Sequence, residues 1–444
     1  MLYRKIGKYI EDWLTGGSDK TLIIEGARQT GKSFIIREVG TRLSPCFVEI
    51  NFVEDDEGPG IFRGVHTTSD FYFALSMVAG KQLSQNASSV LVFLDEIQHY
   101  PQFLTLLKFL RQEGRYRYIA SGSMLGLALR DTTSIPIGSV IRKQMHQLDF
   151  EEFIIANGVA TEAANHIKEL LSRRETLPEN LHNHLMSLFR KYLIIGGMPD
   201  AVNAYLATQN IVEVREIQQS IQSMYGDDAA KYESAASRKL LIRRIYEMIP
   251  SQMENKKKRI VATDIQGRRG DRFAGYLEEF EYLISSGIAI DAKAISNPRY
   301  PLVQSAQKNL LKLYMNDVGM LSMLLYGNNV MPVIDDKAGI NLGALYETVV
   351  AQELKAHGKR LFYYDNRHKG EVDFLVDDNS RLSVLPIEVK SGKDYTVHSA
   401  LNNLLATEEY GIGEGLVLSN NREVTARGSI VYLPIYHVML IGEQ

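Results

Sequence analysis

A glycine-rich motif near the amino terminus constrains this chain more than any other feature. Residues 26–33 read Gly-Ala-Arg-Gln-Thr-Gly-Lys-Ser and fit G-x-x-x-x-G-K-[ST] at every fixed position. An apolar run at residues 21–24 precedes the motif, and an apolar helical pattern begins at Ser33. This order predicts a strand, a tight loop and a helix, which is the setting that a phosphate-binding loop requires.

The residue types of the loop suit a bound polyphosphate. Glycine lets the chain approach closely, so that backbone N–H groups can surround phosphate oxygens. Lys32 is placed to reach the β- and γ-phosphates of ATP, and Ser33 to bind Mg²⁺. The residues expected to contact the nucleotide are Gly26, Ala27, Arg28, Gln29, Thr30, Gly31, Lys32, Ser33 and Phe34. A chance glycine-rich turn is the competing interpretation, and the strand–loop–helix setting argues against it.

Two adjacent carboxylates end the apolar run at residues 90–94. At such a strand end, Asp95 is expected to hold Mg²⁺ through water, and Glu96 to orient or deprotonate the attacking water. Adjacent acids at a strand end are common by chance. After a phosphate-binding loop, however, they predict hydrolysis rather than nucleotide binding alone, so the sequence predicts an ATPase.

Other polar residues near this site have two interpretations each. Residues 121–123 read Ser-Gly-Ser after the next apolar run, and Ser123 is a candidate for contact with the γ-phosphate or the attacking water. An ordinary turn explains the same tripeptide equally well. Arg130 and Arg142 are candidates for an arginine that senses the γ-phosphate, although a solvated surface arginine is the simpler interpretation of either one.

A second charged set lies in the last third of the chain. Asp373 is in one predicted strand, and Glu388 and Lys390 share a face of the next, because residues two apart point the same way. If the strands pair, two carboxylates beside a lysine form a site that suits Mg²⁺ or Mn²⁺. Glu347, on the preceding predicted helix, is a further candidate ligand. A surface ion pair is the competing interpretation, since E-x-K is frequent at strand ends.

The sequence changes character several times, which predicts an α/β multidomain protein. Strands alternate with helices in the first third, as in a parallel sheet covered by helices. Long amphipathic runs follow, then helices with a hairpin, and finally a strong helix before three strands. We predict an ATPase domain at residues 1–148, a helical lid at 149–235, a winged helix at 236–311 and a second α/β domain at 312–444.

Charge and composition limit the partners of the chain. The formal net charge is −3, so no general cationic field indicates a nucleic-acid binder. Contact with DNA or RNA must therefore use local basic residues. The candidates are Lys257, Arg259, Arg268, Arg269 and Arg367. A solvated loop is the usual explanation of such a run. The single cysteine excludes an internal disulfide. No apolar run reaches the length of a membrane span, and a cytoplasmic location is expected.

Together these motifs resemble a group of prokaryotic AAA-type ATPases that carry a C-terminal domain of unknown function. The segments that carry the resemblance are residues 26–33, 94–98, 121–123, 148–153, 192–202, 312–319, 371–374 and 387–390. The resemblance implies an AAA-type ATPase domain, a helical lid with a winged helix, and a C-terminal domain similar to the PD-(D/E)XK, or restriction-endonuclease-like, nucleases. Many members carry a Gly-Arg pair before the segment that corresponds to residues 149–153, whereas here residues 137–142 read Ile-Gly-Ser-Val-Ile-Arg.

The leading hypothesis from the sequence is an ATP-hydrolysing switch coupled to a metal-dependent, nucleic-acid-processing domain. In it, ATP and Mg²⁺ bind the first domain, and a second Mg²⁺ or Mn²⁺ binds at Glu347, Asp373 and Glu388. A first alternative is a regulatory ATPase whose last domain binds DNA or a protein partner without cleavage. A second alternative is a ring-forming motor, which requires an arginine finger between subunits.

Overall fold

The computed structural model of this protein describes residues 1–80, 83, 90–123, 138–231, 236–255, 258–267, 272–306, 310–335, 342–392 and 394–442. Lys257, Arg268, Arg269 and Arg130 lie outside these residues. The chain divides into two compact units. The first unit comprises Met1–Gln147 and Ser285–Gly287, and the second comprises Leu148–Ile284 and Ile288–Gln444. Every helix in the described ranges is too short or too polar to cross a membrane.

The first unit is built on a five-stranded parallel sheet in the order β2-β3-β4-β1-β5. Its strands are β1 (Thr21–Glu25), β2 (Cys46–Asn51), β3 (Val90–Asp95), β4 (Arg117–Gly122) and β5 (Val140–Gln144). Its described helices are α1 (Lys5–Thr15), α2 (Lys32–Leu43), α3 (Phe52–Glu57), α4 (Thr68–Ala79) and α5 (Gln102–Glu113), with a 3₁₀ helix at Ile97–His99. This is the parallel α/β arrangement that the alternating sequence pattern predicts.

Strand β3 shows why this sheet is parallel and covered on both faces. Leu91 and Phe93 pack into one apolar cluster, whereas Val92 and Leu94 pack into the other. A strand that is apolar on both sides needs helices above and below it, as in βαβ units. Because parallel strands end at the same edge, the segments that follow β1, β3 and β4 meet there.

The second unit contains an eight-stranded mixed sheet in the order β12-β13-β11-β10-β9-β8-β6-β7. Its strands are β6 (Ala289–Ile295), β7 (Leu311–Met315), β8 (Leu361–Asn366), β9 (Gly370–Asp378), β10 (Ser383–Val389), β11 (Gly415–Ser419), β12 (Thr425–Arg427) and β13 (Ile430–Pro434). Its described helices up to the hairpin are α6 (Phe150–Ala156), α7 (Thr161–Ser172), α8 (Glu179–Ile195), α9 (Pro199–Thr208), α10 (Ile211–Lys231), α11 (Ala236–Glu254), α12 (Ala262–Gln266) and α13 (Leu277–Ser285). The later helices are α14 (Val318–Tyr326), α15 (Met331–Ile334), α16 (Gly343–Ala356) and α17 (Ser399–Leu405), and 3₁₀ helices lie at Phe273–Tyr276, Leu302–Gln304, Glu408–Tyr410 and Ile435–Leu440.

The hairpin that the sequence placed in a winged helix has a different role. Strands β6 and β7 pair antiparallel, as a hairpin should, but β6 also pairs in parallel with β8. The hairpin therefore extends the C-terminal sheet. The cause is burial, because β7 is buried along its whole length under α11 and α14 and has no solvent-facing side of the kind an exposed wing would show.

Candidate nucleotide site and acidic cluster

The loop between β1 and α2 has a backbone shape that fits a phosphate. Gly26, Gln29 and Gly31 all have positive φ angles, of 155°, 63° and 89°. A side chain on Gly26 would collide with the backbone oxygen of Met145, so glycine is needed there. The loop leads directly into the N-terminus of α2, where unpaired N–H groups and the helix dipole favour an anion.

The Lys32 side chain folds back over this loop. Its ammonium donates hydrogen bonds to the backbone oxygens of Gly26 at 3.0 Å and Ala27 at 2.8 Å. Burial lowers the pKa of Lys32 to about 8, although Glu96 and Asp95 partly oppose that effect. A phosphate beside this ammonium would stabilise its charged form, because an opposite charge raises the pKa of a lysine.

Asp95, at the end of β3, connects the loop to the neighbouring strands. Its Oδ1 accepts hydrogen bonds from the Ser33 hydroxyl at 2.9 Å, from the Glu96 backbone N–H at 3.1 Å and from the Ser121 hydroxyl. Burial raises the pKa of Asp95, and the hydroxyls of Ser121 and Ser33 counteract this. A hydroxyl and a carboxylate this close form a hard-oxygen pair, which fits the Mg²⁺ that the motif implies.

Glu96 is held in an unusual backbone conformation beside Asp95. Its φ angle of 54° lies in the left-handed region, which is rare for a residue other than glycine. The Gln98 side-chain amide donates to the Glu96 carboxylate, and the Ser123 hydroxyl lies 3.4 Å from Glu96 Oε2. Gln98 also donates to Ser123 at 3.3 Å. Two polar partners therefore fix the Glu96 carboxylate at the edge of the sheet.

In the structure, Arg142 is paired with a carboxylate, whereas the side chain of Phe34 is exposed to solvent. Arg142 lies on β5, and its Nη2 is 2.8 Å from Oε2 of Glu25. The same Glu25 oxygen accepts a hydrogen bond from the Gln144 side chain at 2.9 Å. Arg142 therefore forms an ion pair with Glu25 within the first unit. The Phe34 side chain, in the first turn of α2, is 59% exposed.

Arg4 contacts the phosphate-binding loop through its guanidinium, although no sequence pattern predicts this role. Nη1 of Arg4 donates to the backbone oxygen of Thr30 at 2.9 Å, and Nη2 donates to the backbone oxygen of His146. Arg4 is only 8% exposed. Its local sequence, a charged residue before an amphipathic helix, gives no signal of this role, because both partners are distant in the sequence.

The acidic residues Glu347, Asp373 and Glu388 of the second unit also lie together and are here called the acidic cluster. Strands β9 and β10 pair antiparallel with Phe374 opposite Ile387. The Val389 backbone N–H donates to Asp373 Oδ2 at 2.8 Å, and the Lys390 ammonium lies 2.7 Å from Glu388 Oε1. Burial, and then the charge of Asp373, raise the pKa of Glu388 to about 8. The two strands that carry Asp373 and Glu388 therefore pair, as the prediction of this site requires.

Lysines neutralise the carboxylates of this cluster. The Lys258 ammonium binds Glu347 Oε1, and the fully buried Lys312 ammonium lies 2.6 Å from Glu371 Oε1 and 4.0 Å from Glu347 Oε2. Burial, together with the nearby Asp373 charge, raises the pKa of Glu347. Across the described residues, no three Asp, Glu, His or Cys side chains are grouped so as to hold a metal ion. A second metal at this cluster is therefore unsupported, and as it stands the donor set does not fit one.

Two of the nucleic-acid candidates can be placed. Arg259 Nη1 lies 3.1 Å from Asp365 Oδ2, so its charge is paired within the chain. Arg367 is exposed in the turn between β8 and β9. Beside it, the Asn366 side-chain oxygen accepts hydrogen bonds from the backbone N–H groups of His368 and Lys369, at 3.0 Å and 3.2 Å. Asn366 thus stabilises the turn that presents Arg367.

The solved structures to which this chain is similar share little sequence identity with it. The Walker-type ATPase PABY2304 of Pyrococcus abyssi is 13% identical, with 73% of this chain and 96% of that chain covered and a TM-score of 0.46. Cdc6p from Pyrobaculum aerophilum is 13% identical, with 76% and 95% covered and a TM-score of 0.27. A DNA replication initiation factor is 12% identical, with 64% and 90% covered and a TM-score of 0.26. No curated protein matches the sequence.

Three segments of the chain match known domain families. Residues 186–330 match a domain of unknown function (DUF8612), and residues 342–438 match another (DUF4143). Neither description assigns an activity. Residues 18–154 match an AAA domain, and this segment contains the phosphate-binding loop, Asp95 and Glu96. The first unit of the chain is therefore a P-loop ATPase-like domain.

Proposed function

We propose that this protein is an ATP-driven switch, in which the first unit binds and hydrolyses ATP and the second unit engages a partner in response. The observation that supports it best is the meeting of Lys32, Ser33, Asp95 and Glu96 at one edge of a parallel sheet. Ser33 and Asp95 would hold Mg²⁺, which neutralises charge on the β- and γ-phosphates when it is bound.

Each residue of this site has a distinct task in the proposal. Lys32 releases the carbonyls of Gly26 and Ala27 and turns its ammonium to phosphate oxygens. The positive φ angles of the loop curl its backbone N–H groups around the same phosphates. Glu96, held by Gln98 and Ser123, accepts a proton from the attacking water or orients it.

Replacing Glu96 by glutamine tests the proposal, because it separates hydrolysis from binding. Glutamine keeps the shape and can still bond Ser123, but it cannot accept the proton. We expect phosphate release to fall about 100-fold, while the ATP dissociation constant, measured by calorimetry, changes less than about threefold. Glu113→Gln, an exposed position on α5, is the matched control. Wild-type turnover in Glu96→Gln would contradict the assigned role.

Nucleotide affinity should depend on pH through Lys32. In the free protein its pKa is about 8, and bound phosphate raises that pKa, so binding takes up a proton above this pH. Affinity is therefore expected to level off as the pH falls below about 8 and to weaken by up to about tenfold per pH unit well above it. Calorimetric titrations over this range check the slope. In Lys32→Arg the slope should vanish, because a guanidinium stays charged; a flat wild-type profile would contradict the expectation.

The second unit has two candidate functions, and its lysines favour one of them. Asp373, Glu388 and Lys390 on paired strands, behind a helix that carries Glu347, support a PD-(D/E)XK-like nuclease. The binding of Lys258 to Glu347, however, puts an ammonium where such a nuclease needs a cation. We therefore favour binding of a nucleic acid or protein partner without cleavage as the role of the unit.

A nuclease assay on the full chain decides between the two candidates. Single- and double-stranded DNA and RNA are incubated with Mg²⁺ or Mn²⁺, with and without ATP. No cleavage is expected, whereas ATP hydrolysis is. Cleavage that disappears in Glu388→Ala would establish the nuclease instead, and dependence of that cleavage on ATP would show that the two units are coupled.

Removing Lys258 is expected to let the acidic residues around Glu347 bind a metal ion more tightly. In Lys258→Ala, Glu347 Oε1 loses its cationic partner while Asp373 and Glu388 stay nearby. We expect Mn²⁺ affinity without nucleotide, measured by electron paramagnetic resonance, to rise about tenfold, because a competing charge has been removed. Lys293→Ala removes the same charge from an exposed position and is the control. Equal Mn²⁺ affinity in the two variants would rule out Lys258 as the competing cation.

A further inference from the structure

The buried guanidinium of Arg4 is linked to the site that phosphate would occupy. Arg4 donates to the Thr30 backbone oxygen at 2.9 Å. The Thr30 hydroxyl donates to the Ala27 backbone oxygen at 3.0 Å, and the Lys32 ammonium donates to that same oxygen at 2.8 Å. When Lys32 turns to a phosphate, Ala27 loses one of its two donors. The change therefore reaches Thr30 and, through its carbonyl, Arg4.

Residues 145–150 link the first unit to the second and are here called the connector. The second nitrogen of the Arg4 guanidinium, Nη2, binds this segment. Arg4 donates to the backbone oxygen of His146. The backbone N–H of Met145 donates to the backbone oxygen of Glu25 at 2.6 Å, and Glu25 is the residue immediately before the loop. Gly26 leaves no room between the loop and Met145. The start of the connector thus lies on the start of the loop.

The far end of the connector is fastened within the second unit. The Leu148 backbone N–H donates to the Gly197 oxygen at 2.7 Å, and the Phe150 backbone N–H donates to Glu353 Oε1 at 2.9 Å. Glu353 is fully buried and also accepts from the Tyr192 hydroxyl at 3.0 Å. Glu353 lies on α16, the helix that also carries Glu347 of the acidic cluster.

We propose that Arg4 is a positioning residue that passes the nucleotide state of the loop to the connector and, through Glu353, to helix α16. The proposal rests on the ATPase function above and names how that function reaches the second unit. Arginine suits the task because its planar fork can hold two carbonyls at once in a fixed relation. A lysine ammonium on a flexible stem cannot impose that relation between Thr30 and His146.

Amide hydrogen exchange on the full chain tests the proposal. The Glu96→Gln protein is used as the parent, so that ATP stays bound. We expect ATP to change exchange about fivefold in peptides that cover residues 145–150 and 343–356, as one gained or lost hydrogen bond would. In Arg4→Gln and in Arg4→Lys the change should fall below about twofold, although calorimetry on the same samples still shows ATP binding. Lys8→Gln, an exposed position on α1, should keep the full response.

A second variant separates signalling from folding. Glu353→Gln should keep the ATP response at residues 145–147 and lose it at residues 343–356, because only the far attachment is weakened. A full response in either Arg4 variant, or no response in a parent that binds ATP, would overturn the coupling. Failure of the parent to bind ATP would instead overturn the proposed ATPase function, and the coupling with it.

Discussion

Replacing Lys32 by alanine is expected to weaken ATP binding about 100-fold and to abolish measurable hydrolysis. The change removes the ammonium that would face the β- and γ-phosphates. The fold should tolerate the loss, since burial already disfavours the charged form of Lys32 and lowers its pKa to about 8. The effect on binding is thus expected to be large while the effect on stability is small.

The measurement pairs calorimetric ATP titration with a phosphate-release assay and a thermal melt. Lys108→Ala, an exposed position on α5, removes the same charge from the same unit and should bind ATP like the wild type. Retained hydrolysis in Lys32→Ala would defeat the assignment of residues 26–33 as a phosphate-binding loop. A lower melting temperature combined with lost binding would instead point to damage to the fold.

Replacing Lys312 by methionine is expected to destabilise the second unit by about 3 kcal/mol. Lys312 has no exposed surface and lies 2.6 Å from Glu371 Oε1 and 4.0 Å from Glu347 Oε2. Its loss leaves the buried Glu347 with less compensating charge, whereas Glu371, with 30% of its side chain exposed, can regain water. For that reason the expected cost is at the lower end of what breaking a buried ion pair produces.

Urea unfolding followed by two probes locates this effect. The only tryptophan, Trp13, lies in the first unit, so its fluorescence reports that unit, while circular dichroism reports both. In Lys312→Met, the urea midpoint of the second unit, seen by circular dichroism, should fall. The midpoint reported by Trp13 fluorescence should stay the same. Lys293→Met, at an exposed position, should cost less than about 0.5 kcal/mol. Adding Glu347→Gln to Lys312→Met should recover part of the loss; no recovery would mean that lost packing, not unpaired charge, causes it.

The nucleotide loop could be predicted from the sequence because its determinants are local. Residues 21–33 contain the strand, the glycines and the start of the helix, and the backbone adopts the expected order. Asp95 and Glu96 were placed correctly at a strand end for the same reason, since β3 is apolar from Val90 to Leu94 and ends at Asp95. Strand β5 was missed because most of its residues are polar and partly or fully exposed, so it has no apolar signature.

Other features depend on pairs that are far apart in the chain. Lys258 and Lys312 look like ordinary basic residues until the fold brings them to Glu347. The same holds for two segments that carry the family resemblance. The Gly197 backbone N–H donates to the Asp317 carboxylate at 2.6 Å. A pattern can mark such residues, but only the tertiary structure shows that they bond to each other.

The pairing of β6 with both β7 and β8 limits where the chain can be cut and joined to another protein by recombination of its gene. A crossover near residue 311 would divide β7 and separate β6 from β8, its parallel neighbour. It would leave β8 as an open edge, which invites pairing with other molecules and aggregation. A crossover near residue 148 leaves all eight strands together. A segment that is to be joined to another protein as an intact unit therefore has to begin near residue 148. It must include the helices that precede the sheet as well as the sheet itself.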